Sequence, residues 1–167
     1  LVELKISIWI IKSLLMLALI YLAYIDWRTL RLPNAITLPL IFLGITFNWV
    51  SDLRFIAPSS ALVGALLGYA SMWSLNAGYR LLKNRNGIGM GDAKLLGALG
   101  AWLGWSSLPS ILLIASATGI AGGIFWLKWR GHQLQQAFPF GPFLVIAGII
   151  ELLWTQLIPT LILPKLI

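Results

Sequence analysis

Apolar residues in this chain come in long runs, and charged residues fall at the ends of those runs. Ile6 to Ile25 is the first run, interrupted only by Lys12. Leu32 to Ser51 carries no charge, and neither does Phe55 to Tyr79. Leu95 to Leu127 is too long for one crossing, and Pro109 divides it. The last run goes from about Ala137 to Ile158 and contains Glu151. A helix needs about 20 apolar residues to cross the hydrocarbon of a bilayer. The pattern therefore predicts six helices, of which the fourth, over about 93–108, is short and either tilted or partly re-entrant. A signal peptide is a poorer reading of the first run, because no small-x-small cleavage site follows and a second span comes soon after.

Composition narrows the class. The chain has 167 residues, 59% hydrophobic and 10% charged, against about 25% charged in a soluble domain. Mean hydropathy is +0.90. So short a chain cannot hide that much apolar surface in one aqueous core. An ordinary cytosolic enzyme and a disordered tail are excluded. What remains is a single all-α, polytopic domain over 1–167, embedded in the lipid bilayer. Gly64–Gly68 and Gly100–Gly104 are small-xxx-small pairs suited to close helix contact inside it.

The net charge is +7. A clustered excess would suggest nucleic acid, but these basic residues are scattered at the ends of apolar runs, as in membrane loops, so no nucleic-acid partner is expected. Arg28, Arg31, Arg80, Lys83, Arg85, Lys94, Lys128 and Arg130 fall on one side of the predicted membrane; Lys5, Lys12, Arg54 and Lys165 fall on the other. The positive-inside rule then places 27–35, 80–94 and 128–137 in the cytoplasm and both termini outside. There is no cysteine, and His132 is the one histidine. A thiol nucleophile, a cysteine-ligated zinc and a histidine-rich site are excluded, so neither a metal nor another cofactor is expected.

The acids are Glu3, Asp26, Asp52, Asp92 and Glu151. An ionisable group at membrane depth is costly and is a functional candidate by default. Glu3 is terminal. Asp52 lies in a short outer loop beside Arg54, where a solvated residue or a helix cap is the plainer role. Glu151 can snorkel or pair within the last span. Asp26 closes span one and Asp92 opens span four, which puts both at the cytoplasmic ends of their helices. Two carboxylates at one depth can share a proton, one activating water as base and the other polarising a peptide carbonyl as acid. The plainer alternative is two unrelated interfacial acids, neutralised by Arg28 and Lys94.

Glycine-rich Gly87-Ile88-Gly89-Met90-Gly91 precedes Asp92. No strand leads into it, no Gly-Lys-Ser/Thr follows, and an acid would repel phosphate, so nucleotide binding does not fit. Glycines there let a peptide backbone approach the acid. Leu32-Pro33-Asn34 breaks the chain after span one, with Asn34 a plausible N-cap for span two. Pro139-Phe140-Gly141-Pro142 opens the last span, either as a simple helix start or as a wall of a substrate groove.

Three segments resemble a known family. Gly-Met-Gly-Asp-Ala-Lys-Leu-Leu-Gly-Ala-Leu-Gly-Ala-Trp-Leu-Gly-Trp from Gly89 to Trp105 is similar to the Gly-x-Gly-Asp segment of type IV prepilin leader peptidases. Ile25-Asp26, with Leu32-Pro33-Asn34 and Thr37-Leu38-Pro39, resembles the segment around that family's first catalytic aspartate. Pro139-Phe140-Gly141-Pro142-Phe143-Leu144 resembles its C-terminal motif. The resemblance spans about 20–150. It implies an aspartic endopeptidase of the bacterial inner membrane with Asp26 and Asp92 as the catalytic pair. Gly89, Gly91, Lys94, Pro139, Gly141 and Pro142 would support the loop and groove around them. The implied substrates are prepilins of type IV pili or pseudopilins of type II secretion, whose basic leader is cut after a glycine at the cytoplasmic face. Many members also carry an N-terminal domain with paired Cys-x-x-Cys motifs, linked to methylation of the new N-terminus. A chain without cysteine is expected to cut and not to methylate. Two alternatives are a small transporter or channel using the acids as a proton relay, and an inactive pilus or secretion assembly factor. A relay would want acids staggered across the bilayer; an inactive relative would not need both aspartates.

Overall fold

The computed structural model describes residues 2–83, 89–130 and 139–162, and among them the chain is all helix and turn. Six helices follow in order: α1 (Val2–Thr29), α2 (Asn34–Val50), α3 (Pro58–Lys83), α4 (Met90–Leu103), α5 (Leu108–Arg130) and α6 (Gly141–Ile162). Uninterrupted by proline or glycine, α1 runs longer than its apolar run alone suggested. It stops at Leu30, whose φ of 53° is left-handed, with the Leu30 N–H on the Asp26 carbonyl at 2.8 Å. The break in the fourth run is not at Pro109. It is at Gly104, whose φ of 87° ends α4. A short 3-10 turn, Trp105–Ser107, follows, and Pro109 sits in the first turn of α5, where its missing N–H costs nothing.

α4 is the centre of the bundle. Ala93 and every residue from Leu95 to Leu103 are buried, so this helix is apolar all round. It packs against α2, α3 and α6, while α1 and α5 lie against α6. The glycine pairs read from the sequence act as small residues should. A Cβ at Gly64 of α3 would strike the Gly100 carbonyl of α4, and one at Gly100 would strike the Gly64 carbonyl. A Cβ at Gly68 would lie 2.5 Å from the Leu96 carbonyl oxygen, so α3 and α4 meet backbone to backbone.

Asn48 fixes the end of this core farthest from Asp92. Fully buried, it donates through Nδ2 to the Gly44 and Ala101 carbonyls at 3.0 and 3.1 Å. Its Oδ1 accepts from the Phe55 and Ile56 N–H groups at 2.8 and 3.2 Å, which shapes the turn between α2 and α3. Beside it the Trp102 indole donates to the Leu40 carbonyl at 2.9 Å and stacks on Phe47. Lys12 is also inside: it is buried, donates to the Leu152 carbonyl of α6 at 3.2 Å, and lies 5.9 Å from the Trp9 ring and 5.5 Å from that of Phe55.

The outward surface is the reverse of a soluble protein's. Leu14, Leu17, Phe42, Trp49, Leu66, Leu113, Ile120 and Phe125 are all exposed. Lipid solvates such a surface; water does not. Ile6–Thr29 and Trp105–Phe125 are each long and apolar enough to cross a membrane, and Asn34–Val50 and Gly141–Trp154 are shorter apolar helices. The chain is an all-α membrane protein.

Candidate active site

The C-terminal end of α1, the start of α4 and the start of α6 meet at one end of the bundle. Asp26 projects from the last full turn of α1 and is buried, 5% exposed. Its Oδ2 accepts the Gly141 N–H at 3.1 Å. The first four N–H groups of a helix have no intrahelical acceptor, so the start of α6 has donors to spare. Proline has no N–H, which leaves Phe140 and Gly141 as the donors within 139–142. The fit is close: a Cβ on Gly141 would lie 2.5 Å from Asp26 Oδ2. Pro139 is buried behind it, and the Phe140 carbonyl accepts the Phe143 and Leu144 N–H groups at 3.0 and 3.2 Å to begin the helix.

Asp92 lies in the first turn of α4, its N–H on the Gly89 carbonyl at 3.1 Å. Its carboxylate turns back toward Gly89, where a Cβ would sit 3.5 Å from Oδ2. The charge of Asp26 acts directly on Asp92. The glycine before it is needed for packing: a Cβ on Gly91 would lie 2.9 Å from the Leu32 Cβ. Leu32, buried between Arg31 and Pro33, thus links the turn after Asp26 to the residue before Asp92. In the sequence that segment reads as a chain break and as part of the family resemblance, and neither reading gives Leu32 this packing role. Its signal was one apolar residue enclosed by a charge and a proline.

The bases offered as neutralising partners for the acids are engaged elsewhere. Arg28 lies over the Tyr24 ring, 5.5 Å from its centre. Lys94 donates to Asn34 Oδ1 at 2.6 Å. This also corrects the capping role expected of Asn34: the N-cap of α2 is Pro33, no side chain caps the helix, and Asn34 accepts from α4 instead. Lys94 therefore braces α2 against α4 at the site without reaching the acids. Gly89, Gly91, Pro139, Gly141 and Pro142 all lie at this end, whereas Arg85, Gly87, Ile88 and His132 lie outside the described residues. Asp52 is exposed in the turn after α2, at the other end of the bundle. Glu151 accepts from Ser110 of α5 at 2.9 Å and is likewise remote.

Two carboxylates at one end of the bundle, one buried and held by a backbone N–H, with glycines beside both, have the groups needed to activate a water and protonate a carbonyl. Comparison with known proteins bears on the family. A prepilin leader peptidase/N-methyltransferase of Aeromonas hydrophila is 45% identical over 141 residues, 84% of this chain and 48% of that one. Proteins of the same name are 46% identical over 127 residues in Dickeya chrysanthemi (76% of this chain, 44% of that one) and 45% identical over 130 in Neisseria gonorrhoeae (78% and 43%). The chain thus spans about half the length of the curated relatives it matches. No solved structure matches it. The model of the type IV leader peptidase family matches residues 13–127, a stretch that holds both aspartates and the Gly-x-Gly-Asp segment, and the chain belongs to that family.

Proposed function

We propose that this chain is an aspartic endopeptidase that removes the leader of type IV prepilins or type II secretion pseudopilins, with Asp26 and Asp92 as its catalytic pair. The observation that carries the reading is the placement of the two acids: Asp26 at the end of α1 and Asp92 at the start of α4 stand at the same end of the bundle, the Gly141 N–H holds Asp26, and the charge of Asp26 is felt at Asp92. Two carboxylates that feel each other's charge favour a single shared proton, the state that lets one act as base and the other as acid. The relatives' printed name supplies the substrate class. We place the site near the cytoplasmic face of a bacterial inner membrane, crossed by about six helices, on the asymmetry of basic residues between the two sides. The relay alternative is disfavoured because the two acids lie at the same end of the bundle and are not staggered through it.

The test is incubation of the purified protein in detergent with a prepilin, reading the new N-terminus by mass spectrometry. A cut after the glycine that ends the leader is expected. An intact prepilin with well-folded protein would overturn the reading. Methyl transfer to the new N-terminus is a separate activity and is read in the same spectra by adding S-adenosylmethionine.

A further inference from the structure

The Gly141 hydrogen bond breaks the symmetry of the pair. We propose that it divides the roles: Asp26 is the base that activates water and Asp92 is the acid that protonates the scissile carbonyl, the shared proton residing on Asp92. The inference rests on the reading of the two acids as a catalytic pair, and Gly141 is a positioning residue within it.

Asp26 accepts a directed N–H at 3.1 Å from the positive end of α6. A donor aimed at a carboxylate favours its charged form. Burial of Asp26 by itself disfavours its charge, and the Gly141 N–H, unscreened by water, is the contact that opposes this. Among the described residues no hydrogen bond is donated to the Asp92 carboxyl, and what acts on it is burial and the charge of Asp26. The dipoles of the acids' own helices act the other way, since Asp26 is near the C-terminal end of α1 and Asp92 near the N-terminal end of α4. A dipole is diffuse, and a charge-assisted hydrogen bond outweighs it. Arg28 is on Tyr24 and Lys94 is on Asn34. Of the other described bases at this end, Arg31, Arg80 and Lys83 are exposed, where water screens them. α2 carries no charge, and the one acid of α6, Glu151, is on Ser110.

The chemistry balances. Asp26 takes a proton from water as the water oxygen bonds to the carbonyl carbon, and Asp92 gives its proton to the carbonyl oxygen, forming a gem-diol. Asp26 then protonates the amide nitrogen, the C–N bond breaks, and Asp92 recovers a proton from the diol. A carboxylic acid and an amine leave, and the pair returns to its starting state.

The assignment makes each limb of the pH–rate profile report on a different residue. The acidic limb follows ionisation of the base, and the alkaline limb follows loss of the acid's proton. Exchanging the Phe140–Gly141 amide for an ester by semisynthesis removes the N–H and adds no Cβ. The acidic limb is expected to move up by about one pH unit, with the alkaline limb in place. Movement of the alkaline limb alone would overturn the assignment. A second measurement does not depend on that variant folding. The chain has three aspartates, Asp26, Asp52 and Asp92, so carbon-13 label at the aspartate carboxyl gives three NMR signals, assigned by single Asn variants. At the rate optimum the Asp26 signal of the unmodified protein is expected at the carboxylate position and that of Asp92 at the acid position. The reverse order, or equal positions, would overturn the proposal. Failure of the unmodified protein to cut a prepilin would instead count against the peptidase reading, whatever the spectra show.

Discussion

Asp26 and Asp92 act in this reading as one chemical unit, and that makes a sharp prediction. Asparagine keeps the shape of each side chain but can neither accept water's proton nor carry the charge. Asp26→Asn and Asp92→Asn should each lower cleavage by about a thousandfold or more, and the double variant should lose little beyond either single one. Asp52→Asn should leave cleavage unchanged, because Asp52 is exposed in the turn between α2 and α3, at the far end of the bundle. The rate should fall at both pH extremes, where the pair becomes doubly protonated or doubly ionised. The check is prepilin cleavage by the purified variants, with monodisperse elution as evidence of folding. Robust cutting by either single variant would falsify the pair.

At the scale of elements, α3 and α4 depend on glycine, and the glycines are not equivalent. A Cβ at Gly100 would strike the Gly64 backbone, whereas a Cβ at Gly78 would meet nothing within 4 Å. Gly100→Ala should therefore destabilise by about 1–3 kcal/mol through forced separation of the helices. Since α4 carries Asp92, cleavage should fall with it. Gly78→Ala should stabilise by about 0.5–1 kcal/mol, by removing a flexible residue from a helix interior. Thermal unfolding in detergent, run beside the cleavage assay, checks both; a stable, active Gly100→Ala protein would count against the close α3–α4 contact. Much of this level was legible in the sequence. Uncharged runs marked the helices, the small-xxx-small spacing marked the contact, and both acids stood at run ends. What escaped reading depends on partners distant in the chain. Asn48 looks like an ordinary polar residue in an apolar run until Ala101, Phe55 and Ile56 arrive around it. Lys12 was counted as an outer-side charge, yet its ammonium lies inside, on the Leu152 carbonyl. The break after α4 was assigned to Pro109, because proline is conspicuous in a sequence and the left-handed φ of Gly104 is not.

For the whole molecule, charge poses a question about substrate capture. The chain carries a net +7, so its own field repels a basic leader. Binding should then come mainly from the substrate's apolar helix lying in the bilayer, with leader charge setting orientation. A prepilin with a charge-neutral leader should be cut in detergent at close to the rate of the basic one. A large loss of rate would show that the leader's charges are read directly.

Orientation in the membrane is the remaining property of the whole molecule, and the absence of cysteine makes it measurable on a clean background. The acids, the turn after α1 and the end of α3 should face the cytoplasm, because eight basic residues are assigned to that side and, with Lys12 inside the bundle, Lys5, Arg54 and Lys165 to the other. The probes must be accessible in the fold. Ser107 is a poor position, being buried with its hydroxyl on the Leu103 carbonyl. Asp52 and Trp105 are exposed at the end away from the acids, and Thr29 and Leu82 are exposed toward the other end. In intact cells, an impermeant thiol reagent should label Asp52→Cys and Trp105→Cys from outside. It should reach Thr29→Cys and Leu82→Cys only after the membrane is opened. The reverse pattern would put the two aspartates on the outer face, away from a leader that is still cytoplasmic when it is cut. The cleavage reading would then fail on geometry even with both acids intact.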